Sequence, residues 1–523
     1  MSKIVAMYWI YKQTGGKDKK WNTMYHNGVV FSPLYKPLNI NIIYDGKSVS
    51  LPPLAEEYAV IYTKYRDSEY IKNPRFNKNF WKDWKKLLDK DTIIQSLSKC
   101  DFSPLYDKYK TEKMEIQEKY KIAQIDGKEQ KIANYLIEPT GIFIGRGNNK
   151  NIGKIKRRIM PEDITLNLSK DAPIPKMQKG YEKHKWGKII NDMNVEWLAS
   201  WKDEITGKTK YVWLNAHSDL KARSDIAKFD LARKLKTKIK TIRRENEKYI
   251  NSENMKEKQI GTAIYFIDNL ALRVGNETSD EGCADTVGVT SLRCEHVTLL
   301  GHNKIKLNFL GKDSIRYNNT VDVNKNIYNN VEIFMSNKKK TDELFDLINS
   351  TDINKYLQTF MKGLTAKVFR TYNATNLFEQ ELKKLDKKFD TYTDDDKQSL
   401  LLEGFNKANA KVAVLCNHQK CISKTHSTQI ELLNDKIKNI RIKIKKSKND
   451  RTREKYNKKL VLLKAKKIIK METKNISLGT SKINYIDPRV TAKFIKKHNL
   501  PIEKIFSKTL IEKFKWAFDD DKN

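Results

Sequence analysis

The sequence predicts a multidomain α+β protein, and three observations favour this class. The chain has 523 residues, which is enough for two to four domains with hydrophobic cores of their own. Mixed strand and helix patterns fill the first half, whereas helical periodicity dominates after about residue 219. Eight of the nine tryptophans lie at or before residue 213, which indicates a separate core in the first half.

The composition is strongly basic. Lysine and arginine number 102 against 64 aspartates and glutamates, a formal net charge of +38. Such a charge predicts an acidic polymer as the partner. Nucleic acid is favoured over an anionic membrane, because no apolar run approaches the ~18 residues that a spanning helix needs. The N-terminal stretch "MSKIVAMYWIYKQTGGKDKK" has no signal-peptide pattern.

The five cysteines argue against a metal site. They are Cys100, Cys283, Cys294, Cys416 and Cys421, and no CxxC pair occurs. Cys416 and Cys421 flank a histidine in "CNHQKC", but no second ligand pair with the usual zinc spacing accompanies them. The pattern favours reduced thiols in a cytosolic or nuclear protein.

The first half of the chain is predicted to begin with a short polar tail (1–20) and to continue as a mixed, aromatic-rich region (21–218). The segment "VVFSPLYKPLNINIIYDGKSVSL" (29–51) alternates apolar and polar residues around a Tyr-Asp-Gly turn, which predicts a β-hairpin. The segment "FNKNFWKDWKKLL" (76–88) has the apolar spacing of an amphipathic helix.

Helices dominate the prediction for residues 219–425. In "QIGTAIYFIDNLALRVGNE" (259–277) apolar residues recur at helical spacing, and Gly275 is predicted to end the helix. One β insertion follows at "KIKLNFLGKDSIRYNN" (304–319), where apolar residues alternate on both sides of "GKDS". Lys312 is therefore expected at or beside the tip of a hairpin.

The stretch from 422 to 475 differs in charge and periodicity. It holds 18 lysines and arginines against 5 acidic residues, hence a net charge of +13. Five apolar residues have the 3, 4, 3, 4 spacing of a heptad seam: Ile430, Leu433, Ile437, Ile440 and Ile444. A second, less regular stripe begins at Tyr456, after "KKSKNDRT". We predict an antiparallel helical hairpin here, the alternative being a solvated charged linker. Residues 476–523 are predicted to form a small C-terminal unit.

A glycine-rich loop, "GRGNNKNIGKIKRR" (145–158), at first suggests a phosphate loop. A Walker A motif has four residues between its glycines and a hydroxyl residue after its lysine. Here five residues separate the glycines and an isoleucine follows the lysine, so nucleoside triphosphate binding is rejected. The remaining pattern is a flexible backbone followed by dense cations, and Lys156 and Arg157 are predicted to contact a nucleic-acid backbone. A solvated basic loop is the alternative.

Five further residues each have an ordinary structural explanation when taken alone. Arg273 is expected at the end of an apolar helix, where a cation is favoured. Most lysines at a hairpin tip, such as Lys312, face solvent, and Arg370 on a helical stretch would pair with an acid. A lone His418 after an apolar helix is usually a satisfied hydrogen-bonding residue. Tyr485, one of 24 tyrosines, lies in "LGTSKINYIDPR" between the turn-forming residues Gly-Thr-Ser and Asp-Pro.

Together these five residues predict phosphoryl transfer to a tyrosine. The phenol of Tyr485 supplies a nucleophilic oxygen. The guanidinium groups of Arg273 and Arg370, with His418 as a third donor, suit the charge that develops on the non-bridging oxygens. Lys312 can protonate the leaving 5′-hydroxyl as a general acid. With those cations in place no metal is required, but sequence spacing alone does not bring the residues together.

Eight segments, taken in order, resemble those of the eukaryotic-type DNA topoisomerases of class IB. The matching segments are "IEPTGIFIGRG", "KRRIMPEDITLN", "YFIDNLALRVGNE", "DTVGVTSLRCEHV", "FLGKDSIRY", "LTAKVFRTYNA", "LCNHQ" and "LGTSKINYIDP". The likeness extends from about Lys20 to the C-terminal "KFKWAF" and so covers nearly the whole chain. No one motif decides the matter, whereas the ordered set is very specific.

The resemblance implies a DNA clamp. After the short tail (1–20), a mixed α/β cap lobe (21–218) would close over the duplex against a mostly helical, tyrosine-recombinase-like catalytic lobe (219–425). A coiled-coil linker (426–475) would protrude from the clamp. A small helical C-terminal domain (476–523) would deliver the tyrosine.

The resemblance also implies a role for each site residue. Tyr485 would attack a backbone phosphate, form a 3′-phosphotyrosyl bond and release a 5′-hydroxyl. Arg273, Arg370 and His418 would hold the phosphate oxygens in the transition state. Lys312 would lie in the minor groove and protonate the leaving oxygen. Four further positions match the lining of the cleavage site or a phosphate contact: Arg146, Asp313, Thr480 and Asn484.

Supercoils would relax by rotation of the free end before the break reseals, without ATP, magnesium or another cofactor. The expected partner is double-stranded DNA, bound by a monomer with no membrane involved. The location would be the nucleus or, for a compact viral member, a viral replication compartment. The sequence departs from the family pattern at Asn149-Lys150, where His-Pro is usual in the latch loop, and in the short stretch of about 20 residues before the core.

Two other classes of protein compete with this interpretation. A tyrosine recombinase uses a similar Arg, Lys, His and Tyr set, but the cap motifs and the long hairpin before Tyr485 argue against it. A DNA-binding architectural protein with a decayed catalytic set is disfavoured, because all five positions hold the expected residue types.

Overall fold

The computed structural model describes residues 19–106, 116–145, 149–275, 285–388, 394–420 and 422–519, apart from a few side chains such as that of Asp313. By its internal contacts the chain divides into two compact units. Among the described residues, the first comprises those up to 223, and the second those from 224 onward. Nearly all of the predicted polar tail (1–20) lies outside the described residues.

Short strands and short helices build the first unit. The helices are α1 (Pro53–Thr63), α2 (Pro74–Trp84) and α3 (Ser103–Tyr106). The strands are β1 (Met24–His26), β2 (Ile42–Tyr44), β3 (Lys47–Val49), β4 (Cys100–Asp101), β5 (Ile122–Ile125), β6 (Lys128–Lys131), β7 (Gly141–Ile142), β8 (Ile155–Lys156), β9 (Thr165–Asn167), β10 (Lys188–Ile190), β11 (Ala199–Lys202) and β12 (Thr209–Val212). They form sheets of order β1-β5-β6, β3-β2-β4, β7-β8 and β10-β9-β11-β12, in which β9 and β10 are parallel.

Both local predictions for the first unit are confirmed, with shorter strands than expected. Strands β2 and β3 pair Tyr44 with Lys47 across Asp45-Gly46, whose φ angles of 49° and 79° are the left-handed pair of a tight hairpin turn. Helix α2 buries Phe76, Phe80 and Trp84, which recur every four residues on one face. The side chain of Asn73 caps the start of this helix.

Aromatic residues fill two hydrophobic cores in the first unit. One core surrounds Trp21, Phe31 and Tyr181, and the other contains the buried face of α2 together with residues of α1. The concentration of tryptophan before residue 213 therefore marks a region with cores of its own, as the sequence predicts.

Longer helices and one sheet build the second unit. Its strands β13 (Val297–Leu299), β14 (Lys304–Gly311) and β15 (Ile315–Asp322) form an antiparallel sheet in that order. The helices are α4 (Asp219–Ile250, entered from the first unit), α5 (Met255–Asn269), α6 (Lys325–Met335), α7 (Ser350–Phe360), α8 (Ala366–Lys388), α9 (Asp394–Leu415), α10 (His426–Lys446), α11 (Asp450–Glu472), α12 (Leu478–Asn484), α13 (Pro488–Lys497) and α14 (Lys508–Lys513). In the described part of the chain, none of the helices is long and apolar enough to cross a lipid bilayer.

The predicted β insertion is confirmed. Gly311 pairs with Ile315, and a turn of 3₁₀ helix at Lys312–Ser314 joins β14 to β15. Alternate residues of β14, among them Ile305 and Leu307, face the core. The structure therefore places Lys312 at the tip of the hairpin.

Helix α5 ends earlier than the sequence predicts. It stops at Asn269, so the prediction that it continues to Gly275 is wrong. Ala271 takes a left-handed backbone conformation with a φ of 49°, which hydrophobic periodicity does not reveal. The following residues pair with another segment, as when the N–H of Val289 bonds to the carbonyl of Arg273 (2.9 Å). These tertiary hydrogen bonds satisfy carbonyls that a longer helix would have left unpaired at its end.

Helices α10 and α11 form the predicted antiparallel hairpin. The heptad residues Leu433, Ile437 and Ile440 are buried, whereas most other residues of α10 are exposed. The opposing residues of α11, such as Leu460 and Leu463, are half-buried. The seam is narrow, as the spacing predicts, and the basic side chains face outward.

The C-terminal helices pack on α8 and α9. Ile486, Phe494 and Phe514 share a hydrophobic core with Phe378 and Phe405. One expectation is wrong at this point, because the Gly-Thr-Ser residues before the tyrosine lie within helix α12 and form no turn. The Asp-Pro pair interrupts the helical backbone, since Asp487 caps the start of α13 and Pro488 is its first residue.

Candidate active site

Tyr485 lies at the C-terminal end of α12, immediately before α13. The hydroxyl of Thr375 on α8 donates to the carbonyl of Tyr485 (3.0 Å) and accepts from the N–H of Asp487 (3.0 Å). The N–H of Tyr485 bonds to the carbonyl of Ser481 and so completes α12 (3.0 Å). The backbone that carries the phenol is therefore held from two sides.

The half-buried phenol of Tyr485 contacts two of the predicted site residues. The guanidinium carbon of Arg370 lies 5.0 Å from the centre of the tyrosine ring. The imidazole of His418 stacks on that ring, with 5.2 Å between ring centres and 28° between planes. Burial by itself raises the pKa of the Tyr485 phenol, but the charges of Arg370 and Arg273 outweigh it, and the pKa lies below its ordinary value. The surroundings thus favour the phenolate, which is the stronger nucleophile.

Arg370 is fixed by backbone carbonyls. The residue is 4% exposed. One terminal nitrogen, Nη1, donates to the carbonyl of Ala271, and the other, Nη2, donates to the carbonyl of Cys416 (3.0 Å). Its Nε is buried without a hydrogen-bond partner in the described part of the chain. The guanidinium is therefore oriented in advance, as a donor to developing negative charge has to be.

Arg273 lies in the extended segment after α5 and not at a helix end. Two glycines allow this segment to approach its neighbour closely, since a Cβ added to Gly288 would lie 2.4 Å from Cα of Gly275. The side chain is half-buried. Its positive charge contributes to lowering the pKa of both Tyr485 and His418, so it belongs to the same electrostatic site.

His418 follows α9 and is 5% exposed. Its Nδ1 lies 2.8 Å from the Oγ of Ser481, while its Nε2 is buried without a hydrogen-bond partner among the described residues. Burial, and then the charges of Arg370 and Arg273, lower the pKa of the imidazole to about 4. His418 is therefore neutral at neutral pH and can act as an uncharged hydrogen-bond donor.

Lys312 is exposed at the tip of the β14–β15 hairpin. It lines a pocket together with Arg273, Arg370 and the buried residues Phe309 and Cys416. Three of the five predicted residues thus surround one pocket, and Arg370 connects that pocket to Tyr485 and His418. Residues from five separate stretches of the chain converge here.

The predicted nucleic-acid contacts in the first unit are engaged in ion pairs. Lys156 pairs with Glu138, which also pairs with Lys210. Arg157 makes a two-pronged contact with Asp163 (2.8 Å for each nitrogen–oxygen pair). Any phosphate that reached these cations would have to compete with their carboxylate partners.

Of the four remaining residues predicted to contact DNA, the structure describes the side chains of two. Thr480 and Asn484 lie on α12, one turn apart, and the Asn484 amide donates to the carbonyl of Thr480 (3.2 Å). Asn484 is exposed and Thr480 is half-buried. Arg146 lies outside the described residues, as does the side chain of Asp313.

Asp487 is a further site residue that the sequence argument missed. It is 1% exposed and accepts from Arg489 (3.0 Å from Nη2) and from Arg233 on α4 (2.8 Å from Nε). Arg489 also pairs with Asp230 of α4 (2.7 Å). This charged cluster fastens the start of α13, two residues beyond Tyr485, to α4.

Ser481 was missed as well, although a helical interpretation of "LGTSKINY" would have revealed it. Residues four apart lie on the same face of a helix, so Ser481 and Tyr485 would both be directed to one side. Thr375 left no comparable signal, because its partners lie 110 and 112 residues away in the chain.

Comparison with known protein families places the chain in the topoisomerase class. Three family models match successive parts of the chain. "Eukaryotic DNA topoisomerase I, DNA binding fragment" matches residues 19–115 and 106–214, "Eukaryotic DNA topoisomerase I, catalytic core" matches 217–473, and "C-terminal topoisomerase domain" matches 457–523. The chain belongs to the eukaryotic DNA topoisomerase I family.

Curated relatives agree with these matches. DNA topoisomerase 1 beta of Arabidopsis thaliana is 42% identical over 556 residues, which cover 97% of this chain and 59% of the relative. DNA topoisomerase 1 of Homo sapiens is 42% identical over 553 residues, covering 96% of this chain and 71% of the relative. The protein of that name from Caenorhabditis elegans is 42% identical over 547 residues, covering 96% and 67%. The chain thus spans 59% of the length of the Arabidopsis relative.

Proposed function

We propose that the protein is a type IB DNA topoisomerase, which relaxes supercoiled double-stranded DNA through a transient break in one strand. The observation that carries this proposal is the contact of the Tyr485 phenol with both Arg370 and His418. Membership of the family and the net charge of +38 support DNA as the substrate.

The proposed reaction uses the five residues in defined roles. The oxygen of Tyr485 attacks a backbone phosphorus as the phenol loses its proton to water, and the bond from phosphorus to the 5′ oxygen breaks. Arg273, Arg370 and His418 donate to the non-bridging oxygens, where negative charge accumulates. Lys312 gives a proton to the leaving 5′ oxygen. The product is a 3′-phosphotyrosyl bond and a free 5′-hydroxyl, which reverses the reaction after strand rotation.

The proposal extends to the arrangement of the chain on DNA. A cap lobe (21–218) and a catalytic lobe (219–425) would enclose the duplex, with a linker (426–475) and a C-terminal domain (476–523) that carries Tyr485. DNA contacts would come from Arg146, Lys156, Arg157, Asp313, Thr480 and Asn484. The protein would act as a monomer, without cofactor or membrane, in the nucleus or in a viral replication compartment.

Plasmid relaxation in EDTA without ATP tests this function. Negatively and positively supercoiled plasmids that lack any special site should both relax, and a denaturing gel should show DNA joined to protein through its 3′ end. Tyr485→Phe should bind duplex DNA but neither relax it nor become attached. Tyr456→Phe, on the half-buried face of α11, is the matched control and should relax DNA normally.

The two rival classes predict different results in the same assay. A tyrosine recombinase would need a defined site and several subunits, so a plasmid without such a site would stay supercoiled. A decayed architectural protein would shift duplex DNA without relaxing it. Relaxation that survives Tyr485→Phe would place the nucleophile elsewhere in the chain.

A further inference from the structure

The hydroxyl of Ser481 and the imidazole of His418 form a buried pair. Ser481 is 0% exposed and His418 is 5% exposed. The Oγ of Ser481 lies 2.8 Å from Nδ1, and Nδ1 is its one hydrogen-bond partner within the residues that the structure describes. The other ring nitrogen, Nε2, has no partner there.

The donors and acceptors available to the two groups determine the direction of this hydrogen bond. A neutral imidazole has one N–H donor and one acceptor nitrogen, and a buried hydroxyl needs an acceptor for its proton. If Nδ1–H donated to Ser481, the serine proton and the lone pair of Nε2 would both be left unpaired. If the Ser481 hydroxyl donates to Nδ1, one group remains, namely an Nε2–H donor. A DNA phosphate oxygen is an acceptor and would satisfy it.

We propose that Ser481 is a positioning residue for strand cleavage. Its hydroxyl donates to Nδ1 of His418 and fixes the tautomer whose Nε2–H donates to a non-bridging phosphate oxygen. This role rests on the proposed function, since it requires that a phosphate occupies the site beside Tyr485.

The position of Ser481 joins this role to the nucleophile. Ser481 on α12 lies four residues before Tyr485, which ends that helix, and both contact His418. The same short helix therefore carries the attacking oxygen and the group that orients the adjacent donor. When α12 packs in place, it therefore positions both the attacking oxygen and the hydroxyl that orients His418.

Single-turnover cleavage of a DNA strand with sulfur in place of the scissile 5′ oxygen tests the proposal. The thiolate leaves without a proton, so the rate reports nucleophilic attack and phosphate stabilisation and not the action of Lys312. Ser481→Ala should lower this rate at pH 8 on the order of 10-fold, the typical effect of losing a buried hydrogen bond. The affinity for duplex DNA should stay unchanged. The thermal midpoint should fall only slightly, because alanine fits a helix but leaves Nδ1 of His418 without its buried donor.

The pH profile separates positioning from packing. An imidazolium carries protons on both nitrogens, so protonation restores the Nε2–H donor whatever the tautomer. The deficit of Ser481→Ala relative to the natural protein should therefore shrink as the pH falls from 8 to about 4, where half of the imidazole is protonated. Ser481→Thr keeps the hydroxyl and should restore most of the rate. The control Thr359→Ala removes a helical hydroxyl that donates to the carbonyl of Tyr356, and it should change nothing.

Two results would overturn the role of Ser481: an unchanged rate in Ser481→Ala, or a deficit that is the same at pH 8 and pH 4. Nitrogen-15 chemical shifts of His418 supply a readout that needs no catalysis. The natural protein should show a protonated Nε2, and a protonated Nδ1 would contradict the proposal. If the natural protein did not cleave DNA at all, the proposed function would fail, while the shifts would still decide which tautomer Ser481 selects.

Discussion

Neutrality distinguishes His418 from the arginines around it. Burial, and then the two neighbouring guanidinium groups, make a positive charge on the imidazole unfavourable, so the ring stays uncharged, with a pKa of about 4. In the proposed reaction, a neutral donor would add a hydrogen bond to the phosphate without adding to the repulsion among cations. The same two arginines favour the anionic form of Tyr485. One pair of charges therefore lowers the pKa of both neighbouring rings, together with burial at His418 and against burial at Tyr485.

We expect the free protein to lose stability in mild acid because of this histidine. The unfolded chain takes up a proton on His418 near pH 6.5, whereas the folded protein does so only near pH 4. The unfolded state binds more protons between these values, so stability is full above about pH 6.5 and decreases as the pH falls. The total loss should approach ~3 kcal/mol. Denaturant unfolding between pH 7 and 5 measures the slope.

His418→Gln removes the titrating group and should flatten that slope in the second unit. His26 in the first unit is also buried, with its pKa lowered by burial to about 4, and it should go on producing acid sensitivity there. A slope unaffected by His418→Gln would show that the imidazole is already protonated or exposed in the folded protein.

Lys312 differs from the other four catalytic candidates because it is exposed, with no hydrogen bond or ion pair among the described residues. We expect Lys312→Ala to slow cleavage of ordinary DNA by about 100- to 10,000-fold, the usual contribution of a general acid. With a sulfur leaving atom most of this loss should disappear, since a thiolate needs no proton. Single-turnover cleavage of both strands measures the difference.

Lys306→Ala is the matched control for this prediction. Lys306 is an exposed lysine on β14 of the same hairpin, so its removal should leave both rates within about 2-fold. Equal losses on the oxygen and sulfur substrates in Lys312→Ala would assign this lysine to binding and not to proton transfer.

At the scale of elements, the junction of α12 and α13 decides where Tyr485, the proposed nucleophile, lies. Thr375 of α8 holds the peptide groups around Tyr485. Asp487 joins the start of α13 to α4 through Arg233 and Arg489. The phenol is thus located by two packed helices of the second unit and not by its own short helix.

Asp487→Asn should loosen this junction. The substitution preserves shape and helix capping but leaves Arg233 and Arg489 without their shared carboxylate. We expect a loss of about 2–3 kcal/mol in the free energy of unfolding, less than for a fully buried pair because Arg233 is partly exposed. Denaturant unfolding and the rate of covalent attachment at Tyr485 are the measurements, and both should decrease.

Asp230→Asn tests whether the burial of Asp487 is the reason for the large loss of stability expected in Asp487→Asn. Asp230 also pairs with Arg489, but its side chain is 45% exposed, so its loss should cost less than about 1 kcal/mol. Comparable effects of the two substitutions would indicate that the arginine, and not the buried carboxylate, holds the junction.

At the scale of the whole molecule, charge dominates the expected interaction with DNA. Each phosphate neutralised on binding releases counterions, so the affinity falls as salt rises. With about six phosphate contacts, binding should weaken on the order of 1,000-fold between 50 and 200 mM salt. Fluorescence anisotropy with the uncleaving Tyr485→Phe variant measures this slope, and an affinity independent of salt would contradict it.

Periodicity and composition were sufficient to predict those structural elements that depend on residues close together in the chain. The heptad seam of α10, the hairpin that presents Lys312 and the apolar face of α2 follow from residues two to eight positions apart. Their signal is local, because burying one face of a helix or strand needs only a repeating pattern. The basic charge likewise predicted an acidic partner without any knowledge of the fold.

Contacts between distant segments of the chain decided the features that the sequence did not predict. The end of α5 and the burial of Asp487 each depend on partners far away in the chain, namely Val289 and Arg233. The five site residues were named from residue type and resemblance, but their convergence required long-range packing. The neutral state of His418 is the clearest case, since a pKa depends on which charges surround a ring in space and no spacing in the sequence records that.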